Sequence, residues 1–100
     1  MWYAIMAEDA PNSLDNRLTA RPDHLKRLHT LQEAGRLLLA GPFPAIDSAD
    51  PGPAGYSGSL IVAEFSNLEE ATEWANNDPY VISKVYRNFT VKPFRKALPI

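Results

Sequence analysis

Residues 58–75 read Gly-Ser-Leu-Ile-Val-Ala-Glu-Phe-Ser-Asn-Leu-Glu-Glu-Ala-Thr-Glu-Trp-Ala. The first eight are mostly apolar and free of proline, as a buried strand reads. Ser66-Asn67 followed by Glu69-Glu70 is a capping-box start, and Leu68, Ala71, Trp74 and Ala75 then fall on one helical face. A strand running straight into an amphipathic helix is half of a βαβ unit, so the flanking segments decide which sheet it joins.

Downstream, Asn76-Asn77-Asp78-Pro79 ends this helix. Proline suits a first helical position, which lets Asp78 cap a brief helix through Val85 before Phe89, Val91 and Phe94 mark a last strand. Upstream, Trp2 to Ala7 reads as a strand closed by Asp9, Pro11, Asn12 and Ser13. Leu14 to Ala20 forms a short helical piece. The ring of Pro22 pushes Arg21 out of the α region, so a new helix is expected to begin at Pro22 and to stop at Gly35. Arg36 to Phe43 is a second strand, in which Pro42 marks an edge, a bulge or the strand's end. Pro44 to Ser57, with Pro51, Gly52, Pro53 and Gly55, is too rich in turn formers to pack as an element and reads as a surface loop.

The order is β-α-β-β-α-β. It specifies one α+β domain over residues 1–100, a ferredoxin-like four-stranded antiparallel sheet with both long helices on one face. Strand residues of both parities are apolar, so the face without helices calls for a cover. A second copy packed sheet to sheet, in a homodimer, supplies it.

Length and charge bound what such a domain does. The chain has 100 residues, 45% of them hydrophobic, and 10 Lys plus Arg against 12 Asp plus Glu give a net charge of -2. There is no room for separate cofactor and substrate domains, and no positive field to hold nucleic acid or an acidic membrane. Zero cysteines exclude disulfides, thiolate metal sites and cysteine nucleophiles, and neither a metal nor another cofactor is expected. No phosphate loop, dinucleotide fingerprint, zincin helix or nucleophile elbow is present. No apolar run approaches the roughly 20 residues that cross a bilayer. The Met1 to Ala7 run lacks a basic leader and meets Glu8-Asp9 at once, which gives the expectation of a cytoplasmic protein.

On a helical wheel with His24 at zero, Leu28 falls at about 40°, Leu31 at about -20° and Leu25 at about 100°. His24 therefore shares the apolar stripe, whereas His29, near about 140°, sits at its margin. An inward imidazole is suited to proton transfer near neutral pH, and equally to a core position satisfied by a backbone carbonyl. Asp78 is its candidate partner. The two long helices run roughly antiparallel, so the start of one neighbours the end of the other and the carboxylate can reach a ring nitrogen, in one subunit or across two. The plainer role for Asp78 is a helix cap. Arg21, three residues before His24, can hold a carboxylate or enolate oxygen, or serve as a solvated surface cation. Gly41-Pro42 and Gly58-Ser59 are places where backbone can approach a ligand, Ser59 adding a hydroxyl, or simple turn chemistry. Trp2, Tyr3, Phe65 and Trp74 read as core aromatics, and Glu8-Asp9 as a solvated strand end.

Arg21-Pro22-Asp23-His24-Leu25, Gly35-Arg36-Leu37-Leu38 with Ala40-Gly41-Pro42, Asp78-Pro79-Tyr80 and Val91-Lys92-Pro93-Phe94 together resemble the YciI family over nearly the whole chain. The resemblance implies a dimeric α+β barrel, a homodimer or a higher assembly, with His24 and Asp78 as a catalytic pair. One member of that family removes chloride from a chlorinated hydroxyquinol, and the wider superfamily includes muconolactone isomerases. By fold analogy the resemblance implies cofactor-independent lyase or isomerase chemistry on a small cyclic acid or enol. His24 would shuttle the proton and Asp78 orient it. Arg21 or Ser59 would hold a substrate oxygen, and Gly41, Pro42 and Tyr80 would line the substrate site. Substrate choice is expected in the 44–57 loop. The alternatives are a non-catalytic small-molecule binder or stress-related accessory protein, and a plain dimerisation module.

Overall fold

The computed structural model describes all 100 residues. The elements are β1 (Trp2–Asp9), α1 (Leu14–Glu33), β2 (Leu37–Pro44), β3 (Tyr56–Glu64), α2 (Leu68–Asn76), α3 (Pro79–Ile82) and β4 (Tyr86–Phe94). The strands form one antiparallel sheet in the order β2-β3-β1-β4. β1 and β2 are thus parallel with β3 between them, and β3 and β4 are parallel around β1. This is the split βαβ arrangement of ferredoxin-like α+β folds, shared by the dimeric α+β barrels.

Strand alternation sorts the side chains into two faces. Tyr3 lies opposite Ala63 and Ile5 opposite Ile61. These four are buried with Leu28, Leu31, Phe65, Ala71 and Ala75 beneath α1 and α2. A smaller cluster of Ala7, Ala20, Tyr80, Val85 and Tyr86 lies toward the start of α1. The other parity sends Trp2, Ala4, Met6, Leu39, Phe43, Leu60 and Phe94 to the face without helices, where Met6, Leu39, Phe43 and Phe94 are exposed. Trp2 therefore leaves the core expected for it, because it alternates with Tyr3.

The break expected at Pro22 does not occur, and α1 runs 20 residues without interruption. Pro22 lies about 160° round the wheel from His24, on the solvent side. It is exposed, as is Leu18, whose carbonyl loses its helical donor to the proline ring and is left to water. On the opposite stripe Arg17, Ala20, His24, Leu28 and Leu31 are all buried, which holds the helix straight through the proline. Gly35 ends it as expected. With φ at 71°, it allows the Gly35 N–H to reach the Gln32 carbonyl and the Arg36 N–H to reach that of Leu31.

Of the three readings of Pro42 the edge is the one observed, since β2 borders the sheet and continues to Pro44. Gly58 answers to the protein's own backbone: a Cβ there would lie 2.0 Å from the Ala7 carbonyl oxygen. Asn67 caps α2 by accepting from the Glu70 N–H. Leu68, however, is exposed at the first position of α2, so the buried face of that helix is Ala71 and Ala75 with Trp74 half-buried. The brief helix α3 stops at Ile82 rather than Val85, because Lys84 at φ 59° turns the chain into β4. No helix is long and apolar enough to cross a membrane.

Pro22→Ala restores a helical N–H at an exposed position. The helix-interior penalty of about 3 kcal/mol is reduced by the roughly 0.4–1 kcal/mol of unfolded-chain entropy that proline removes. The expected outcome is about 2 kcal/mol of added stability, read as a higher urea midpoint by circular dichroism; a midpoint unchanged or lower would contradict it.

Candidate active site

α1 and the α2–α3 junction bring His24 and Asp78 together. The imidazole Nδ1 lies 2.8 Å from Asp78 Oδ1 and 3.0 Å from Oδ2, with the residues 6% and 1% exposed. The same Oδ1 accepts the Tyr80 N–H at 2.8 Å, so the carboxylate caps α3 and holds the imidazole at once. With Asp78 as acceptor, Nδ1 carries the ring proton and Nε2 is left as the basic nitrogen. Nε2 has no partner in the chain and is not enclosed. The ring is further fixed by stacking on Tyr80, with centroids 3.9 Å apart and planes 12° apart. His29 is exposed.

A cation lies behind the carboxylate. Arg27 stacks over Trp74 at 4.3 Å and donates to the Trp74 carbonyl at 2.9 Å, leaving Nη1 3.9 Å from Asp78 Oδ2 without a hydrogen bond. Burial lowers the Arg27 pKa, and Asp78 opposes that shift.

Two turns before His24, α1 places Arg17 in the interior. Its Nε and Nη2 donate to Asp9 at 3.0 Å each, and Nη2 also reaches the Gly58 carbonyl at 3.1 Å and Ser59 Oγ at 2.9 Å. Burial works against this charge, but the hydrogen bond and the attraction of Asp9 outweigh it and the Arg17 pKa is raised. The Asp9 side chain is 3% exposed, so the expected solvated strand end is instead the buried partner of a guanidinium. Glu8 alone keeps to the surface, paired with Arg87 at 2.6 Å. Arg17 also lies over the Tyr80 and Tyr56 rings, at 4.8 and 5.1 Å.

His24 and Arg17, but not Asp78, Asp9 or Arg27, border a cavity of about 390 Å³ between α1 and the β2 edge of the sheet. His24, Arg21, Gly41, Pro42, Ser59 and Tyr80 all line it, beside Leu25, Leu28 and Ile61. Arg21 is exposed at the rim. Ser59, 4% exposed, spends its oxygen on Arg17. The Tyr80 hydroxyl pKa is raised by burial and pulled back by Arg17 and Arg21. From the 44–57 segment Tyr56 lines the cavity, and Ala45 and residues 53–57 line a second hollow beside the turn between β1 and α1. Arg17, Asp9 and Tyr56 escape the sequence reading. A signal for Arg17 was present, because seven residues before His24 corresponds to about 20° on the wheel, inside the apolar stripe. A helix broken at Pro22 hides it.

A family described as the YCII-related domain matches residues 1–95. Protein YciI of Escherichia coli O6:H1 is 55% identical over 97 residues, covering 97% of this chain and 99% of its own. An uncharacterized protein of Haemophilus influenzae is 52% identical over the same shares. Among solved structures, 5-chloro-2-hydroxyhydroquinone dehydrochlorinase from Burkholderia phenoliruptrix AC1100, in complex with 2,5-dihydroxybenzoquinone, superposes with a TM-score of 0.82. It is 22% identical and the match covers 95% of this chain and 94% of that one.

Beside Ser59, the Tyr86 hydroxyl is buried without a hydrogen-bond partner, and burial raises its pKa. Tyr86→Phe is expected to add about 1 kcal/mol of stability at neutral pH. Folding holds this phenol protonated, so the parent loses stability as pH rises past the unfolded value of about 10. The variant should therefore also lose less stability than the parent above about pH 10; urea titrations at both pH values check it.

Proposed function

The chain belongs to the YCII-related domain family, and from that premise we propose that it is a cofactor-independent proton-transfer enzyme acting on a small cyclic acid or enol. One observation carries the reading: His24 has one nitrogen held by a buried carboxylate and the other free at the wall of a cavity. A core imidazole with no chemical role has both ring nitrogens satisfied and faces no opening. A general base needs a fixed tautomer, a free second nitrogen and room for a substrate beside it.

In this scheme Nε2 takes a proton from a carbon next to a ring carbonyl, and the electron pair moves onto the carbonyl oxygen as an enolate. Return of the proton to a different carbon is an isomerisation. Expulsion of a leaving group such as chloride by the same pair is an elimination, with the proton passing from His24 to water. Asp78 supports the imidazolium formed in either case. Arg21 at the rim, with Gly41, Pro42 and Tyr80 along the wall, orients the ring. The likeness to the dehydrochlorinase supports the fold that carries this chemistry, and elimination of halide is one of the two outcomes the scheme covers.

We further propose that the functional unit is a homodimer. The support is the open sheet face, where Met6, Leu39, Phe43 and Phe94 present apolar surface that a second copy would bury.

His24→Gln and Asp78→Asn, screened against chlorinated hydroxyquinols and cyclic enol lactones by chloride release and absorbance, should lower kcat by about 10²–10⁴ with little change in KM. Wild-type turnover in folded His24→Gln would remove His24 from the chemistry, and no turnover of any of these substrates by the parent would replace the catalytic reading with that of a binding protein. For assembly, sedimentation should give twice the chain mass, and Leu39→Glu should give a folded monomer; a monomeric wild type would sink the dimer.

A further inference from the structure

The Arg17 guanidinium has five N–H groups in a rigid plane, and the chain commits only one edge of it. Nε and Nη2 grip Asp9 side-on, and Nη2 is further spent on the Gly58 carbonyl and Ser59 Oγ. Arg17 is 5% exposed and lines the cavity; its Nη1 makes no hydrogen bond to Asp9, Gly58 or Ser59, and the polar group beside the guanidinium on its cavity side is the Tyr80 hydroxyl. Here Asp9, Gly58 and Ser59 fix one edge of the plane and leave Nη1 uncommitted to them, in a residue that lines the cavity.

That residual edge is selective. A carboxylate binds a guanidinium through two nitrogens, either Nε with Nη2 or Nη1 with Nη2. Asp9 holds the first pair, and the second lacks a free Nη2 donor. Nη1 alone remains, which suits one oxygen rather than two. The Tyr80 hydroxyl is a second group on the same wall with a proton to give, in a residue 1% exposed and close enough to Arg17 and Arg21 to feel both charges. Leu25, Leu28 and Ile61 supply apolar wall, and about 390 Å³ is at the small end of ligand pockets.

We propose that Arg17, rather than Arg21 or Ser59, receives the ligand's negative oxygen. The ligand is a single-ring compound presenting a lone oxyanion, an enolate or phenolate and not a carboxylate, with Tyr80 donating a second hydrogen bond. The inference rests on the reading of this cavity as the substrate site and specifies the class of substrate it takes.

The test uses 4-nitrophenolate as a single-ring oxyanion, benzoate as a carboxylate of similar size and nitrobenzene as a neutral ring. Each is titrated calorimetrically into the full chain at one ionic strength. 4-Nitrophenolate should bind at least about tenfold more tightly than either competitor, the loss typical of one charged hydrogen bond. Its yellow phenolate band should also grow when protein is added at a pH where the free compound is partly protonated. Arg17→Met with Asp9→Asn removes both buried charges together, which avoids a stranded carboxylate. This double variant should weaken 4-nitrophenolate by about 10–100-fold and abolish the spectral change, and Tyr80→Phe should weaken it by about 3–10-fold. Benzoate binding as tightly as 4-nitrophenolate, or a folded double variant binding as the wild type does, overturns the proposal, as does the absence of any 4-nitrophenolate binding. Should the double variant not fold, the ranking of the two anions and the Tyr80→Phe result decide in the same two directions. If cyclic enols are not turned over while 4-nitrophenolate still binds through Arg17, the catalytic reading falls and this one stands.

Discussion

A single carboxylate oxygen joins the parts of the candidate site. Asp78 Oδ1 accepts the first free N–H of α3 and faces the Nδ1 of an imidazole from the middle of α1. Because the cap fixes where α3 starts, it also fixes Tyr80, and Tyr80 is the surface on which His24 stacks. Tyr80 in turn meets Tyr86 edge to face at 5.5 Å, which ties the smaller apolar cluster to β4. Removing that oxygen would loosen a helix start, a ring orientation and a tautomer together. The two roles weighed for Asp78, a cap and a partner for His24, turn out to be one geometry.

Buried charge is balanced locally around it. Arg17 is set against Asp9, and Asp78 faces both His24 and Arg27. Such pairs contribute little net stability, since desolvation consumes most of their attraction, but deleting one partner is costly. Their value lies in direction: side chains that are usually long and mobile are held at fixed angles beside a cavity. The apolar stripe of α1 carries this apparatus at one end and the main core at the other.

The element order was legible because each half of the chain carries its own punctuation. Ser66-Asn67 with Glu69-Glu70 starts α2, Gly35 stops α1 and Asp78-Pro79 starts α3. His24 was legible from its wheel position, and Asp78 from its place at a break. The misreading of α1 comes from one local rule applied where packing overrides it. A proline on the solvent face of a helix costs a hydrogen bond that water replaces, whereas five buried residues on the other face hold the helix together. Treating Pro22 as a boundary began the wheel there and left Arg17 out of the stripe. Asp9 was missed for a related reason, because a carboxylate at a strand end looks solvated until the guanidinium that buries it is known. Leu68 shows the opposite case: its spacing was right, but the first residue of a helix overhangs the core it points toward.

The prolines in the two outer strands have a consequence for how copies of this chain can meet. β2 contains Pro42 and Pro44, and β4 contains Pro93. A strand added at either border would find missing donors along its length, so neither border is a continuous template for growth of the sheet. Association by edge extension, the route toward open-ended polymers, is interrupted at both sides. The apolar surface that remains lies on the face without helices, where a two-fold contact between copies would close on itself.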